Sequence, residues 1–186
     1  MSELEVRVPP LDPADFSAEQ AALVGNWTHL TFSRVLVRHP GLYRVFVPYI
    51  AEVIAKSTLP PRDREVLVLR TLALGKDVYE AHHHVQIAHK AGLSDAEIAA
   101  VRAGAESLSE WDKLLVRAAD ELVADQQLAD ATWAGLGARY NQPQQMEVVF
   151  LVGCYNVMAM LTTCFGIEIE NDPETEERLK ALRQYT

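Results

Sequence analysis

The sequence predicts an all-α protein, and three observations support this fold class. Nearly every segment shows the spacing of an amphipathic helix, with apolar residues three or four positions apart. Helix-capping patterns recur between these segments. No segment shows the period-two alternation, bounded by hairpin turns, that is typical of strands. Because the chain has 186 residues and an apolar content of 49%, it can bury a substantial core, and we expect one domain over residues 1–186.

The apolar periodicity and the positions of proline and glycine predict eight successive helices. Pro48 is expected to kink or interrupt the second helix, because proline lacks the amide hydrogen that an interior helical position donates. The predicted ranges are approximately 17–31, 40–56, 61–74, 77–92, 95–104, 110–125, 129–139 and 143–165.

Capping residues mark the ends of several predicted helices. Ser17 with Gln20, and Ser94 with Glu97, show the spacing of a capping box, in which each side chain accepts a hydrogen bond from the other residue's backbone amide. Gly75 follows the third predicted helix, and we expect it to adopt the left-handed conformation that closes many helices.

The last predicted helix, about 143–165, is apolar on too many faces to lie on the surface of a monomer. It is expected to be either the central core helix or part of an oligomer interface. Both cysteines, Cys154 and Cys164, fall on this helix ten positions apart, so they cannot bridge each other, and we interpret them as small buried apolar residues. The tail, residues 168–186, is predicted to form a surface helix or a partner-binding arm.

Charge and composition narrow the classes of partner. The net charge is −9 and no Lys/Arg-rich run occurs, which disfavours nucleic acid and anionic membrane surfaces as partners. The N-terminus lacks the basic and apolar regions of a signal peptide, and we find no stretch approaching the roughly 20 uncharged apolar residues of a membrane span. These observations predict a cytoplasmic protein whose partners are small molecules or other proteins.

The segment 77–92 is the strongest candidate for chemistry, since it puts four of the six histidines into one predicted helix. Glu80 and His84 are four residues apart and share a helix face, so Glu80 is expected to accept a hydrogen bond from the His84 ring. His82 and His89 fall on the opposite face, and we interpret them as solvated or subunit-facing.

Glu65 is expected to join this pair. It begins the apolar stripe of the preceding helix, and an antiparallel turn at Gly75-Lys76 would return it to the level of His84. Asp77, at the start of the His-rich helix, is interpreted mainly as a helix cap. Glu80, His84 and the nearby His83 supply too few ligands for a closed metal site, so no metal is predicted.

Two runs carry a family resemblance: Leu-Pro-Pro-Arg-Asp-Arg-Glu-Val-Leu over 59–67, and Tyr79-Glu80-x-x-x-His84-x-x-x-Ala88-x-x-x-Gly92. Together, over residues 59–104, they resemble the carboxymuconolactone decarboxylase and alkyl hydroperoxidase D (AhpD) superfamily. The peroxidase branch has the motif Glu-x11-Cys-x2-Cys-x3-His. Glu65 and His84 match its ends, but Asp77 and Glu80 occupy the cysteine positions.

The departure at the cysteine positions disfavours thiol peroxidase chemistry, because a thiolate must attack the peroxide and a second thiol must resolve the product. Glu80 and His84 instead match the Glu-x3-His pattern of the decarboxylase branch. The resemblance implies an AhpD-like helical bundle that forms a dimer, trimer or hexamer and needs no cofactor. The substrate it implies is a small organic acid or lactone.

The resemblance also implies roles for individual residues. Glu65, Glu80 and His84 are the predicted catalytic residues, transferring protons during loss of carboxylate from an unsaturated lactone. The predicted substrate-binding residues lie nearby in the sequence: Tyr79, His83, Arg62 and Arg70. Two alternatives remain, namely a peroxidase of the sister branch and a non-catalytic helical assembly or ligand-binding protein.

Overall fold

A computed structural model describes residues 5–170 of the chain, and within this range it contains nine α-helices, two single-turn 3-10 helices and no strand. The all-α prediction is therefore confirmed for the described residues. The helices are α1 (Ala18–Val24), α2 (Thr31–Leu36), α3 (Pro40–Ala55), α4 (Pro61–Leu74), α5 (Tyr79–Lys90), α6 (Asp95–Ala103), α7 (Glu110–Ala124), α8 (Asp130–Leu136) and α9 (Gln142–Phe165).

The helix predicted over 17–31 is shorter in the structure than the sequence suggested. It ends at Val24 because Gly25 adopts a φ of +53°, which a right-handed helix cannot accommodate. A 3-10 turn, Gly25–Trp27, and the separate helix α2 follow. The two predicted capping boxes, at Ser17 and Ser94, are both present. Pro48 lies inside α3, which continues through it from Pro40 to Ala55, so the predicted interruption is absent and the predicted kink remains a prediction.

The prediction that Gly75 closes α4 in the left-handed conformation is wrong. Gly75 has a φ of −75°, and the left-handed residue is the next one, Lys76, with a φ of +55°. The glycine is needed for a different reason, which is close packing. A Cβ atom placed on Gly75 would lie 2.5 Å from the Cβ atom of Ala159 on α9, so only a residue without a side chain allows this approach.

The described chain divides into two compact units, and the boundaries fall within α3 and α9. The first unit comprises residues 5–48 and 162–170. Its N-terminal segment is held by backbone hydrogen bonds: the amides of Arg7 and Val8 both donate to the carbonyl of Phe165, at 3.0 and 3.1 Å. Gly166 (φ +70°) permits this approach, since a Cβ atom there would lie 2.2 Å from the carbonyl oxygen of Glu5. The single-domain organisation remains a prediction.

The second unit, residues 49–161, is built around α4. Four consecutive residues, Val66 to Leu69, are fully buried, as is Leu72. Helices α5, α6 and α7 all pack against α4, which explains why its apolar residues occupy every face rather than one stripe. The buried positions of Val68, Leu69 and Leu72 agree with the sequence interpretation. Helix α4 is therefore the central element of this unit, and the positions of the side chains on α5, α6 and α7 depend on how these helices pack against it.

Helix α9 requires two corrections to the sequence analysis. Within the described residues it is the one helix long and apolar enough to cross a membrane by length and composition, so the statement that no such stretch exists was too strong. A central core helix meets the same criteria. Cys154 is buried, as predicted, but Cys164 is exposed, because it lies near the end of the helix. The cytoplasmic location remains a prediction, and residues 171–186 of the predicted tail lie outside the described residues.

The contact at Gly75 yields a stability prediction. Gly75→Ala should lower the free energy of unfolding by about 1–3 kcal/mol, because the new methyl group overlaps Ala159 while the backbone conformation itself suits alanine. Urea titrations followed by circular dichroism would measure this loss.

A double-variant cycle supplies the control for this prediction. Ala159→Gly removes the opposing methyl group, so Gly75→Ala should cost less in the Ala159→Gly background than in the wild type. Equal costs in the two backgrounds would show that the close approach does not limit residue 75.

Candidate functional site

The α4–α5 turn places Glu65 and His84 side by side. After α4 ends, the amide of Asp77 donates to the carbonyl of Leu72 at 2.9 Å, and the left-handed Lys76 reverses the chain. The Asp77 carboxylate then accepts a hydrogen bond from the amide of Glu80 at 3.0 Å. Asp77 therefore acts as a cap for the first turn of α5, as the sequence indicated.

His84 forms the centre of a buried set of hydrogen bonds. Its Nδ1 atom lies 2.7 Å from Oε2 of Glu65 on α4, and its Nε2 atom lies 2.8 Å from the hydroxyl of Tyr155 on α9. The exposed fractions of these residues are 0% for Glu65, 4% for His84 and 2% for Tyr155. We call Glu65, His84 and Tyr155 the buried triad. It links three helices of the same unit.

Glu80 occupies a different position from the one expected. Its Oε2 atom lies 3.9 Å from Nε2 of His84, which is beyond hydrogen-bond distance. The expectation that Glu80 holds the ring in one tautomer is therefore wrong for this conformation, because Glu65 bonds Nδ1 and Tyr155 bonds Nε2. Glu80 still acts on His84 through its charge. Its side chain is 12% exposed, more than those of Glu65 and His84.

A cation accompanies the buried carboxylate of Glu65. Nε of Arg64 lies 3.4 Å from Oε1 of Glu65, and a second Arg64 nitrogen donates to the carbonyl of Ile54 at 2.9 Å. A fully buried carboxylate without partners would be costly. Arg64 and His84 together provide hydrogen-bond donors to both oxygen atoms of Glu65.

Charge balance determines the protonation of His84. Burial by itself lowers the pKa of the imidazole, but the adjacent Glu65 carboxylate outweighs burial and raises that pKa above its ordinary value of 6.5, with Glu80 adding to the effect. For Tyr155, burial and the nearby Glu80 and Glu65 charges raise the pKa of the phenol well above its usual range. Tyr155 is therefore protonated at neutral pH, and His84 retains its second proton to higher pH than a free histidine.

The two protonation states of His84 differ in the direction of one hydrogen bond. Protonated His84 donates from both nitrogens, to Glu65 and to the oxygen of Tyr155. When Nε2 loses its proton, it becomes an acceptor, and the hydroxyl of Tyr155 can donate to it across the same 2.8 Å. The arrangement can thus release or take up a proton at Nε2 without moving heavy atoms.

Cys154 lies beside this cluster but is a poor nucleophile. Burial, reinforced by the charge of Glu80, raises the pKa of its thiol to about 12. The reactive form of a cysteine is the thiolate, so this thiol is inert near neutral pH.

The predicted substrate-binding residues are only partly brought together. Tyr79 is buried with its ring edge-on to His83, at 4.9 Å between centroids, one turn along α5. Arg70 lies elsewhere, pairing with Asp120 at 2.6 Å.

Arg62 is also committed to partners away from the buried triad. It bonds both oxygens of Asp112, at 2.6 and 3.0 Å, and it contacts Glu97 at 2.8 Å. The hydrogen bonds to Asp112 raise the pKa of the Arg62 guanidinium, although burial opposes them. Neither arginine bonds to the buried triad, because α4 is buried and its polar side chains leave it in different directions. Their role in substrate binding remains a prediction.

A separate open cleft of about 740 Å³ lies beside Trp111, and Arg62 lines it whereas the buried triad does not. Its lining includes Asp63, which accepts hydrogen bonds from Trp111 (2.9 Å) and Tyr140 (2.7 Å). Arg139 stacks on Trp111 at 4.3 Å from the ring centroid. The contact between Asp63 and Tyr140 has no signal in the sequence, since nothing in the spacing of these residues links positions 77 apart.

Tyr155 is the member of the site that sequence reasoning missed. It stands among apolar residues on α9, and its hydroxyl is the one available signal, because a buried tyrosine usually finds a hydrogen-bond partner. Over residues 5–170, no group of three or more His, Cys, Asp or Glu side chains is arranged to bind a metal ion.

Comparisons with known proteins agree with the motif over α4 and α5. Residues 40–124 match the family model described as the carboxymuconolactone decarboxylase family. No curated protein matches the sequence significantly.

Two solved structures share the fold. One is an alkylhydroperoxidase AhpD core protein, an uncharacterized peroxidase-related protein from Ralstonia eutropha JMP134. It has a TM-score of 0.75 and 15% identity, covering 89% of this chain and 92% of its own. The other is a cysteine-to-alanine variant of the debrominase Bmp8 in complex with 2,3,4-tribromopyrrole, with a TM-score of 0.67 and 15% identity, covering 96% and 100%.

At this level of identity the two structures establish the fold, while the family model provides the sequence relationship. The match includes all of α4 and α5, and hence Glu65, Glu80 and His84. The family match over residues 40–124 and the shared AhpD-like fold together support placing this chain in the carboxymuconolactone decarboxylase and AhpD-like superfamily.

Proposed function

We propose that this chain catalyses acid–base chemistry on a small organic acid or lactone, without a cofactor, using Glu65, Glu80 and His84. The observation that supports this proposal best is His84 itself. It is a buried histidine whose pKa is raised by Glu65, and its second nitrogen can act as a proton donor or acceptor across the 2.8 Å contact with Tyr155. A positioned side chain that gives up and takes back a proton is what general acid–base catalysis requires.

The proposed roles follow from burial and distance. His84 carries the proton. Glu65 is a positioning residue, because it is fully buried and acts on Nδ1 at 2.7 Å. Glu80 is the residue expected to touch the substrate, since it has the most exposed carboxylate of the cluster and lies 3.9 Å from Nε2.

The narrower reaction proposed is decarboxylation of a carboxylated unsaturated lactone. The bond between the ring carbon and the carboxylate breaks, carbon dioxide leaves, and the electron pair passes into the conjugated lactone carbonyl as a dienolate. A proton from His84 then adds to carbon and gives an enol-lactone, and a proton taken from solvent restores protonated His84, so one proton is consumed for each carbon dioxide released. A positively charged donor near the developing oxyanion lowers the energy of this step.

The peroxidase alternative receives little support from the described residues. Asp77 and Glu80 stand at the positions of the motif cysteines, and the thiol beside them, Cys154, has a pKa raised to about 12. Peroxide reduction by a thiol needs a thiolate and a resolving partner. Any activity of this chain should therefore survive treatment with a thiol-alkylating reagent.

A non-catalytic role is the second candidate, and the burial of the triad favours it. Glu65, His84 and Tyr155 are each at most 4% exposed, which is also typical of a polar group that specifies core packing. In this reading the triad stabilises the helices, and the chain functions as an assembly or ligand-binding protein. Kinetics and stability of the same variants separate the two roles.

The first prediction concerns turnover. Wild-type protein should convert a carboxylated muconolactone, followed by ultraviolet absorbance, and His84→Gln and Glu80→Gln should each lower kcat/KM at least about 100-fold. His82→Gln provides the matched control, because His82 is exposed on the other face of α5. Circular dichroism should show folded protein in every case.

The outcomes separate the hypotheses. Equal turnover by wild type and His84→Gln would reject catalysis by His84. No turnover by folded wild type, together with a lower Tm of His84→Gln, would reject the decarboxylase reaction and leave the structural role of the triad.

The second prediction concerns pH. Because the folded-state pKa of His84 is raised above 6.5, the Glu65–His84 pair should contribute its full stabilisation below about pH 6.5 and lose it as the pH rises through the folded-state pKa. NMR titration of the histidine ring protons should show one signal, absent from His84→Gln, that titrates above 6.5.

Unfolding experiments provide a second readout of this linkage. The stability difference between wild type and His84→Gln should shrink as the pH rises from 6 to 9. A His84 signal that titrates below 6.5, or a difference that grows over this range, would contradict the proposed charge balance.

A further inference from the structure

Both ring nitrogens of His84 are occupied by the other two side chains of the buried triad. Glu65 bonds Nδ1 at 2.7 Å, and Tyr155 bonds Nε2 at 2.8 Å. An imidazole exchanges protons at these two nitrogens. In this arrangement a substrate does not reach a nitrogen of His84 directly, so a proton that enters or leaves the ring passes through one of the two partners.

Glu65 does not lead out of the protein. Its side chain has no exposed surface, and its second carboxylate oxygen faces Nε of Arg64 at 3.4 Å. A cation beside a carboxylate disfavours protonation of that carboxylate. The proton on Nδ1 is therefore held between Glu65 and His84, and exchange with a substrate is left to Nε2.

Glu80 lies on the Nε2 side of the ring but is too far away to take the proton itself. Its Oε2 atom is 3.9 Å from Nε2, which is beyond hydrogen-bond distance. Its side chain is 12% exposed, and it is the residue proposed to touch the substrate. Glu80 therefore indicates where a substrate binds, while the hydroxyl of Tyr155 occupies Nε2.

The hydroxyl of Tyr155 is held firmly in this position. Its ring lies edge-on to the imidazole of His84, with 4.8 Å between centroids and an interplanar angle of 88°. The residue is 2% exposed. A group that is fixed by packing at hydrogen-bond distance is already placed for proton transfer.

A hydroxyl suits this position because it can accept one hydrogen bond and donate another. While the Tyr155 oxygen accepts from protonated Nε2, its own proton stays available to a second acceptor. Burial, followed by the charges of Glu80 and Glu65, raises the pKa of the phenol well above its usual range, which disfavours a free phenolate. Tyr155 therefore passes on its proton only as it receives another.

We infer that Tyr155 is the proton relay of this site, and that its hydroxyl passes protons between Nε2 of His84 and a substrate bound beside Glu80. The identity of the acceptor rests on the proposed function. The route through Tyr155 rests on the geometry of the buried triad alone.

The relay step balances in bonds and protons. The O–H bond of Tyr155 breaks as the substrate carbon forms its new C–H bond, and the proton of Nε2 forms a new O–H bond on the tyrosine. Tyr155 ends the step neutral with one proton, whereas His84 has lost the proton on Nε2. A proton from solvent then returns to His84 through the same hydroxyl.

Exchange of the Nε2 proton with water tests the route without a substrate. At about pH 6, His84 holds both ring protons, since its pKa is raised above 6.5, and saturation-transfer NMR on ¹⁵N-labelled protein measures the exchange of each. Tyr155→Phe should slow exchange at Nε2 at least about 10-fold, because the relay is removed. The proton on Nδ1 should keep its rate and provides an internal reference.

A purely structural hydrogen bond predicts the opposite change. Losing it would favour local opening, and exchange at Nε2 would become faster. Tyr140→Phe is the matched control, because Tyr140 is also buried and its hydroxyl bonds Asp63 at 2.7 Å. This control should leave the Nε2 rate unchanged. A rate in Tyr155→Phe that equals or exceeds the wild-type rate overturns the relay.

A second variant serves if circular dichroism shows that Tyr155→Phe is not folded. Tyr155→Met also removes the hydroxyl, and the flexible methionine side chain adapts to irregular gaps in a core. It should slow exchange at Nε2 in the same way, and an equal or faster rate would again overturn the relay.

Turnover separates the relay from the proposed function. With a carboxylated muconolactone as substrate, Tyr155→Phe should lower kcat at least about 100-fold and leave KM within about threefold, because Glu80 still holds the substrate. Normal turnover by Tyr155→Phe beside an inactive His84→Gln would overturn the relay and leave the proposed function intact. No turnover by folded wild type would overturn the proposed function, and exchange at Nε2 would then decide the relay.

Discussion

The hydrogen bond between Glu65 and His84 is the interaction on which the centre of this protein depends. A carboxylate with no exposed surface is strongly unfavourable unless it is paired and hydrogen-bonded. Here His84 bonds one oxygen at 2.7 Å, and Arg64 lies 3.4 Å from the other. Because Glu65 and His84 come from successive helices, satisfying this one group sets the register between α4 and α5.

The same interaction links packing to chemistry. Glu65 makes the imidazole of His84 more basic than a free histidine, despite burial, and Tyr155 bonds the other nitrogen at 2.8 Å. Glu80 stands at the less buried side of the cluster, where the related peroxidase motif has a cysteine. A carboxylate at this position cannot carry out thiol redox chemistry but is able to accept or donate a proton, and the proposed function rests on that difference.

Helix α9 has two faces in different environments, one buried in the core and one exposed to solvent. One face supplies Tyr155 to the buried triad and Ala159 to the tight contact with Gly75. The other face carries exposed apolar side chains, namely Met146, Val149, Phe150, Val157 and Met160. Gly75 and Gly153 differ in their surroundings, since a Cβ atom at Gly75 would lie 2.5 Å from the Cβ atom of Ala159, while a Cβ atom at Gly153 would make an ordinary contact with the Tyr49 hydroxyl at 3.8 Å.

The sequence by itself determined the helical class, most helix boundaries, the inward position of Glu65 and its pairing with His84. These features depend on local periodicity, on capping chemistry and on the turn between two successive helices, all of which are encoded within a few residues. Only the tertiary structure decided that Tyr155 rather than Glu80 bonds Nε2 of His84. It also decided that Arg62 and Arg70 pair with acidic residues on α7. At the end of α4, it is Lys76 rather than Gly75 that adopts the left-handed conformation. Each of these outcomes depends on which distant side chain or backbone comes within 3–4 Å, and that is set by helix packing rather than by spacing along the chain.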